Sequence, residues 1–293
     1  MNILIAGGTG LIGQALMKKL SSKGHTVSIL SRSKGESLIT WDIKSGIIES
    51  TDLANVEVII NLSGAGIADK RWTKDRKKEL LDSRVETAKV LFAHKGRMPK
   101  LKQYISASGI NCYGNDLNPS GYVESDSFGT DYISSLVQNW EEAADLFKTH
   151  VPTVKIRTGI VLSNTGGAIE KMIKPIHFGL GAAIASGNQV LPWIHIDDLT
   201  GLFAHIITAE LDGSFNALAE NTSNREFMNT LANSIGKKNR LPAVPGAVLK
   251  IIFGEMATLL IRGVHVSNSK IKKTGFTFKY PTLELALKDL NLK

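Results

Sequence analysis

The sequence is poor in several features, and each absence excludes something. It has one cysteine, Cys112, in 293 residues. An internal disulfide framework and a cysteine-based zinc site are therefore excluded. Its longest apolar runs, VEVIINL and VLKIIF, fall well short of the roughly 20 residues needed to span a bilayer. The start, MNILIAGG, lacks a charged leading region and a cleavage site, so no signal peptide is expected. There is no internal repeat and no low-complexity tract. Together these absences predict a cytoplasmic globular protein with no membrane partner. Acidic residues are in modest deficit, 27 against 35 Lys and Arg, for a net charge of +8. The basic residues are spread along the chain. Their densest groups, DKRWTKDRKKE and SKIKKTG, are mixed with acids or fall on predicted helix surfaces. That is the pattern of a solvated face, and no nucleic-acid partner is expected.

What is present is an alternation of strands and helices. Residues 2–6 form a short apolar run ahead of glycines and read as a buried parallel strand. Residues 11–23 carry Leu11, Ile12, Ala15, Leu16 and Leu20 at helical spacing, and Gly24 ends that helix. Further strands are predicted at 26–30, 37–41, 56–62, 102–108 and 153–162, with helices at 74–93 and 132–149. The fold class is therefore α/β: a parallel sheet covered by helices on both faces, with right-handed crossovers. Beyond residue 163 the pattern loosens into a Gly-rich stretch. WIHIDDL then opens a helix with Asp197 as the expected N-cap. The C-terminal stretch reads as mostly helical.

The segment AGGTGLIG places Gly7, Gly10 and Gly13 at a G-x-x-G-x-x-G spacing directly after the first strand. Gly7 allows a sharp turn, Gly10 allows backbone to approach a pyrophosphate, and Gly13 allows the helix to pack closely on the strand. The helix N-terminus then offers free N–H groups to phosphate. This context, strand to glycines to helix, predicts dinucleotide binding. The second strand ends at Ser31 and Arg32, where an NAD site carries an acid for the ribose 2′-hydroxyl. An arginine there suits a 2′-phosphate, so the expected cofactor is NADP.

These residues, with NLSGAGIADKRWTKDRKKELLDSRVETAKVL, SASGINCYG, NWEEAA and GLGAAIASGNQVLPWIHIDDL, resemble the extended short-chain dehydrogenase/reductases. Within them the chain resembles an atypical epimerase family group that ends in a small C-terminal domain of unknown function. The resemblance spans essentially the whole chain. It implies a seven-stranded, Rossmann-type doubly wound parallel sheet with a smaller, mostly helical C-terminal substrate-side domain, NADP binding and a substrate cleft roofed by the C-terminal part. It does not imply a defined substrate. The implied division is an NADP-binding core over 1–163, substrate-side segments interleaved with the last core elements over 164–240, and a small C-terminal domain over 241–293. Cofactor contacts carry over to Gly7, Thr9, Gly10, Leu11, Ile12 and Gly13, then to Ser31, Arg32 and Asp42. They continue to Leu62, Ser63, Gly64, Arg84, Ser106 and Arg157. Asp42 and Asn61 have a second reading as turn residues. Arg84 has one as a surface helix charge, and Ser106 one as a core hydroxyl.

The family mechanism needs a tyrosine general acid/base and a lysine four residues on, one helical turn away, which lowers the tyrosine pKa. Here Tyr132 is present and Leu136 stands in the lysine position. Ile133, Leu136, Val137 and Trp140 form a core-facing stripe, which favours Tyr132 as a packing or substrate-wall residue over a proton-transfer group. The candidates for catalytic work are Ser106, Ser108, Tyr113, Tyr132 and Arg84, with Arg84 able to supply the missing charge. Lys171 and Lys174 lie in the helix after Gly167, in reach of a substrate; His195 could titrate near neutral pH, though its IHIDDL setting favours a structural role, ordering a loop against the sheet. Cys112 reads as a small buried hydrophobe. No metal site is expected. Two functions stay open. One is an NADP-dependent oxidoreductase or epimerase-like enzyme acting on a small-molecule substrate, as a monomer or homodimer. The other is a non-catalytic NADP-binding sensor or scaffold.

Overall fold

The computed structural model describes residues 1–35, 38–49, 53–114, 118–239 and 241–292. The chain opens with β1 (Asn2–Ala6), α1 (Leu11–Ser22), β2 (Thr26–Ser31), β3 (Leu38–Asp42) and β4 (Ile47–Glu49). Ser37, the predicted start of the third strand, lies outside the described residues. β4 is a short antiparallel return that the sequence pattern did not suggest. Then come β5 (Val58–Asn61), α2 (Lys74–Ala93), β6 (Gln103–Gly109), α3 (Tyr132–Ala144) and β7 (Thr153–Thr158). The second half holds β8 (Ile160–Leu162), α4 (Ala168–His177), β9 (Val190–His195), α5 (Ile196–Thr208), β10 (Gly213–Ala217) and β11 (Glu220–Ser223). It ends with α6 (Asn224–Ser234), α7 (Gly246–Phe253), α8 (Thr258–Ile261), α9 (Ser269–Lys273) and α10 (Leu283–Leu290). No helix among the described residues is long and apolar enough to cross a membrane.

The main sheet has the order β10-β7-β6-β5-β1-β2-β3-β4. Every pairing is parallel except the β3–β4 edge, so the expected seven parallel strands are present and β4 adds an eighth. Strand order reverses between β1 and β5, the switch point where open α/β sheets bind ligands. The register places Ala6 beside Asn61, Asn61 beside Ser106, and Ser108 beside Arg157. One sheet face is covered by α1 and α5, with Leu16, Leu20, Leu202 and Phe203 buried in the core, while α10 packs on α6. The opposite face holds Val90 and Leu91 of α2, and Phe147 stacked on Tyr104 at 3.8 Å.

Three sequence expectations are revised. The strand predicted over 153–162 breaks at Gly159, and β8 leaves the main sheet to join β9 and β11 in a second one. A Cβ on Gly159 would lie 2.7 Å from the Pro192 carbonyl oxygen, so only glycine lets the chain cross β9 here. The helix predicted over 132–149 is α-helical only to Ala144. Asp145 turns to the buried Lys155 at 2.6 Å, and the chain tightens into a 3-10 turn. The N-cap of α5 is His195, not Asp197: its Nδ1 accepts the Asp197 backbone N–H at 3.2 Å.

The C-terminal stretch is tied back by buried polar groups. The Asp198 carboxylate accepts the N–H groups of Lys279 and Tyr280 at 2.7 and 3.0 Å. Asn221 exchanges two hydrogen bonds with the backbone of Val266. Asn268 donates to the carbonyls of Leu218 and Ala219.

Candidate cofactor cleft and active site

At the switch point the glycines divide their work. Gly7 has φ +79, and a Cβ there would sit 2.8 Å from the Leu62 carbonyl carbon, so the β1 and β5 loops touch backbone to backbone. A Cβ on Gly13 would meet the Gly8 Cα at 2.5 Å, which fixes α1 against the turn. Gly10 differs: its Cβ would meet nothing nearer than 3.5 Å. Gly10 is also the N-cap of α1 and brings no side-chain capping bond, so no side chain covers the N-terminus of this 12-residue helix. That open, positive end fits a pyrophosphate. Thr9 is exposed beside it, and Leu11 reaches across towards Gly167.

The β5 loop is shaped from beneath. Asn61 is fully buried, its Oδ1 accepting from Ser63 N at 3.1 Å and its Nδ2 donating to the Tyr104 hydroxyl at 3.1 Å. The Ser63 Oγ is buried and has no hydrogen-bond partner. A buried hydroxyl left unpaired beside the glycine loop is what a bound dinucleotide would satisfy.

On the far side, Ser31 is buried and its Oγ accepts the Ser33 N–H, while Arg32 is exposed just past β2. Arg32 lies in a basic neighbourhood. Glu79 is held below the usual carboxylate range first by its hydrogen bond from Arg76, with Lys70 and Arg32 adding positive charge. Asp42 ends β3 with its carboxylate closed on the following turn, accepting Lys44 N and Ser45 Oγ at 2.9 and 2.8 Å. Those bonds, Ser45 first, lower its pKa, as in a turn residue.

At the carboxyl ends of β6 and β7 a buried polar network appears that sequence reasoning missed. Glu141 of α3 binds Arg157 Nε and Nη2 at 2.8 and 2.9 Å, and accepts from Ser108 Oγ at 2.6 Å. Arg157 Nη1 donates to the Tyr113 hydroxyl at 2.9 Å, which itself donates to Asn216 Oδ1 at 2.7 Å. Burial pushes the Tyr113 hydroxyl well above its ordinary pKa. Ser108, Tyr113 and Arg157 are thus brought together, with their polar atoms engaged on one another. The signal in the sequence was Glu141 itself, one turn after Val137 on the buried stripe of α3. Ser106 is also buried, its Oγ bonded to the Ala107 carbonyl at 2.9 Å.

Tyr132 stands apart from this network. Its ring packs edge-on against Trp72 at 5.2 Å, and Lys77 Nζ lies 4.3 Å above it. Its hydroxyl makes one long contact, 3.4 Å, to the Lys77 carbonyl. Burial raises its pKa and the nearby charge of Arg84 lowers it, with a net upward shift. Arg84 is buried, not a surface charge. It donates to the Leu80 and Ala65 carbonyls at 2.9 and 3.0 Å and lies 4.8 Å from the Trp140 ring. Gly64 packs on the guanidinium, since a Cβ there would meet its Cζ at 3.1 Å. Of the buried Arg and Lys side chains among the described residues, Arg76, Lys155 and Arg157 each have a carboxylate partner and Arg84 has none. Burial brings its pKa down to about 10. Leu136 is buried in the apolar cluster with Trp72 on which Tyr132 packs.

The remaining candidates lie elsewhere. Lys171 pairs with Asp69 at 3.0 Å, and Lys174 with Glu170 at 2.6 Å. His195 sits with Asp197 and Asp289 in a group whose donor atoms could surround an ion. Its Nδ1 accepts a backbone N–H, which leaves the neutral ring's proton on Nε2, the tautomer that cannot offer Nε2 to a metal. Cys112 is buried, and burial pushes its thiol up to about 12.

Residues 3–217 match the NAD dependent epimerase/dehydratase family, and residues 244–290 match a C-terminal domain of unknown function, DUF1731. The human epimerase family protein SDR39U1 is 35% identical over 296 residues, covering 99% of each chain. An epimerase family protein of Staphylococcus aureus is 35% identical over 98% of each chain. A crystal structure of the human protein with NADPH superposes with a TM-score of 0.90, 35% identity and 99% coverage of both chains. The UDP-glucose 4-epimerase of Thermotoga maritima, solved with UDP-glucose, shares the fold at a TM-score of 0.79 and 18% identity, over 100% of this chain and 97% of that one.

Proposed function

Because the chain belongs to the NAD dependent epimerase/dehydratase family, we propose that it binds NADPH and reduces a carbonyl substrate, using Tyr132 as proton donor and Arg84 in place of the absent lysine. In this reading the N–H groups at Gly10–Gly13 hold the pyrophosphate, flanked by Thr9, Leu11 and Ile12. Arg32 takes the 2′-phosphate beside Ser31. Leu62, Ser63 and Gly64 run along the cofactor, and the unpaired Ser63 hydroxyl gains a partner there. NADPH bound to the related human protein supports the cofactor choice. When bound, the nicotinamide supplies hydride chemistry.

The observation that carries the chemistry is the state of Tyr132. Alone among the hydroxyls considered for catalysis it is not engaged in a short hydrogen bond. Its raised pKa keeps it protonated at neutral pH, so it serves as an acid. Tyr132 Oη gives its proton to the substrate oxygen as the carbonyl becomes an alcohol, and recovers one from water. Arg84 has no carboxylate to neutralise it and stabilises the transient tyrosinate. Ser108, Tyr113, Arg157 and Glu141 shape the floor of the site, and Asp42 closes a turn.

The test is binding and turnover together. NADPH should bind tighter than NADH, and Arg32→Ala should erase that difference. Tyr132→Phe should cut NADPH oxidation against a carbonyl panel about 100-fold or more with NADPH affinity unchanged. Equal turnover in Tyr132→Phe sinks the assignment. NADPH binding without turnover of any carbonyl favours a sensor, for which the buried Leu136 and the engaged Ser108 and Tyr113 are the supporting features.

A further inference from the structure

The side chains around Tyr132 belong to an apolar cluster with a half-open rim. Trp72, Leu80, Ile133, Met256 and Val264 are buried within it. Ile67, Tyr122, Phe128, Phe253 and Leu259 pack on it and remain partly exposed, as Tyr132 itself does. They come from the loop after β5, the approach to α3, and the C-terminal stretch around α7 and α8. Three distant parts of the chain thus supply one apolar wall beside the proton donor.

Several charged and polar groups around these residues are already committed. Lys77 is held by Glu255 at 2.6 Å. Arg76 is held by Glu79 at 2.6 Å. Arg157 lies 5.1 Å from the Phe128 ring, with its charge matched by Glu141. Arg84 lies behind Gly64, giving its N–H groups to backbone carbonyls. Asn216 is spent on Tyr113 and on the carbonyls of Tyr122 and Ser267, and Glu124 accepts the Asn216 N–H at 2.8 Å. A sugar nucleotide needs free cations for its diphosphate and free donors and acceptors for its hydroxyls. The side chains of Ile67, Phe128, Phe253 and Leu259 offer neither, and Arg71, exposed against Gly254, stands only at their edge. Binding a charged, heavily hydroxylated molecule against these side chains would strand polar groups without partners, whereas an alkyl or aryl chain would gain from burial.

Resting on the reductase reading above, we propose that the substrate is an uncharged lipophilic carbonyl compound, an aldehyde or ketone bearing an alkyl or aryl chain. Its chain lies on Ile67, Phe128, Phe253 and Leu259, and its carbonyl oxygen faces Tyr132 Oη.

The test reads binding without turnover. Butanone, 2-hexanone and 2-octanone are titrated calorimetrically onto the chain alone and onto the chain saturated with NADP+, which cannot reduce them. UDP-glucose is the polar comparison. Affinity should tighten about fourfold per added methylene, and 2-octanone should bind tighter than UDP-glucose. Ile67→Ser and Leu259→Ser, both at partly exposed positions, should flatten the series and leave NADP+ affinity unchanged. A series with no chain-length dependence on either form, or tighter binding of UDP-glucose than of 2-octanone, overturns the proposal. Failure of NADP+ to bind while the series persists on the chain alone sinks the cofactor reading and supports the apolar wall. NADP+ binding with a flat series sinks the wall alone.

Discussion

Replacing Glu141 by alanine should destabilise the protein far more than any surface substitution. The carboxylate is buried and makes three short hydrogen bonds, two to Arg157 and one to Ser108. Without it, Arg157 keeps the Tyr113 hydroxyl and the Glu124 carbonyl, but its guanidinium is left in the interior with no opposing charge. Breaking one side of a buried pair costs about 3–5 kcal/mol. For 293 residues the unfolding entropy near Tm is about 0.6 kcal/mol per kelvin. The expected fall in Tm is therefore about 5–8 °C. Replacing both partners, Glu141→Leu with Arg157→Met, removes two buried charges at once and should recover much of that loss. Thermal and urea unfolding of the parent, both single variants and the double variant, followed by circular dichroism, gives the coupling directly. A loss below about 1 kcal/mol for Glu141→Ala, or strict additivity in the double variant, would refute the reading of this network as a structural pair.

Other expectations follow from the same contacts. Gly13→Ala should lower Tm as well as NADPH affinity, because its Cβ meets backbone at 2.5 Å; Gly10→Ala should fold normally and lose NADPH affinity alone, which fluorescence titration and melting separate. Cys112, with its thiol pushed up to about 12, should resist a disulfide thiol reagent in the native chain and react only on unfolding. Burial lowers the His195 pKa from its ordinary 6.5, against the pull of Asp197 and Asp289. The unfolded chain then takes the proton first as pH falls through that value. Stability is full above it and declines below it towards the folded pKa. His195→Asn should flatten that part of the urea midpoint against pH, and an unchanged slope would remove His195 as its source.

Much of the fold was legible because the signals are local. The apolar run, the three glycines and the helical spacing of Leu16 and Leu20 lie within a single stretch of chain and dictate a strand, a turn and a packed helix. The end of β2 at Ser31, with Arg32 exposed just past it, was readable for the same reason, since a strand end is set by its own sequence. The break at Gly159 was not readable. The run TVKIRTGIVL is apolar and β-branched throughout, and only the crossing of Pro192 against Gly159 divides it. Asp197 looked like the cap of α5 until His195, two residues earlier, took the role.

The proton-transfer region shows the division most clearly. Sequence by itself determined that the lysine is missing, because Leu136 sits one turn from Tyr132 on the same helix. It also determined the strand, glycine turn and helix that open the chain. Tertiary structure alone decided which hydroxyls are committed and which is not. Tyr113 meets Asn216 across 103 residues of chain, and Ser108 meets Glu141 across 33. It also turned Arg84 inward, under Gly64 and beside Tyr132. A buried polar group must find its partner wherever packing brings one, and that partner need leave no mark at any fixed spacing in the chain.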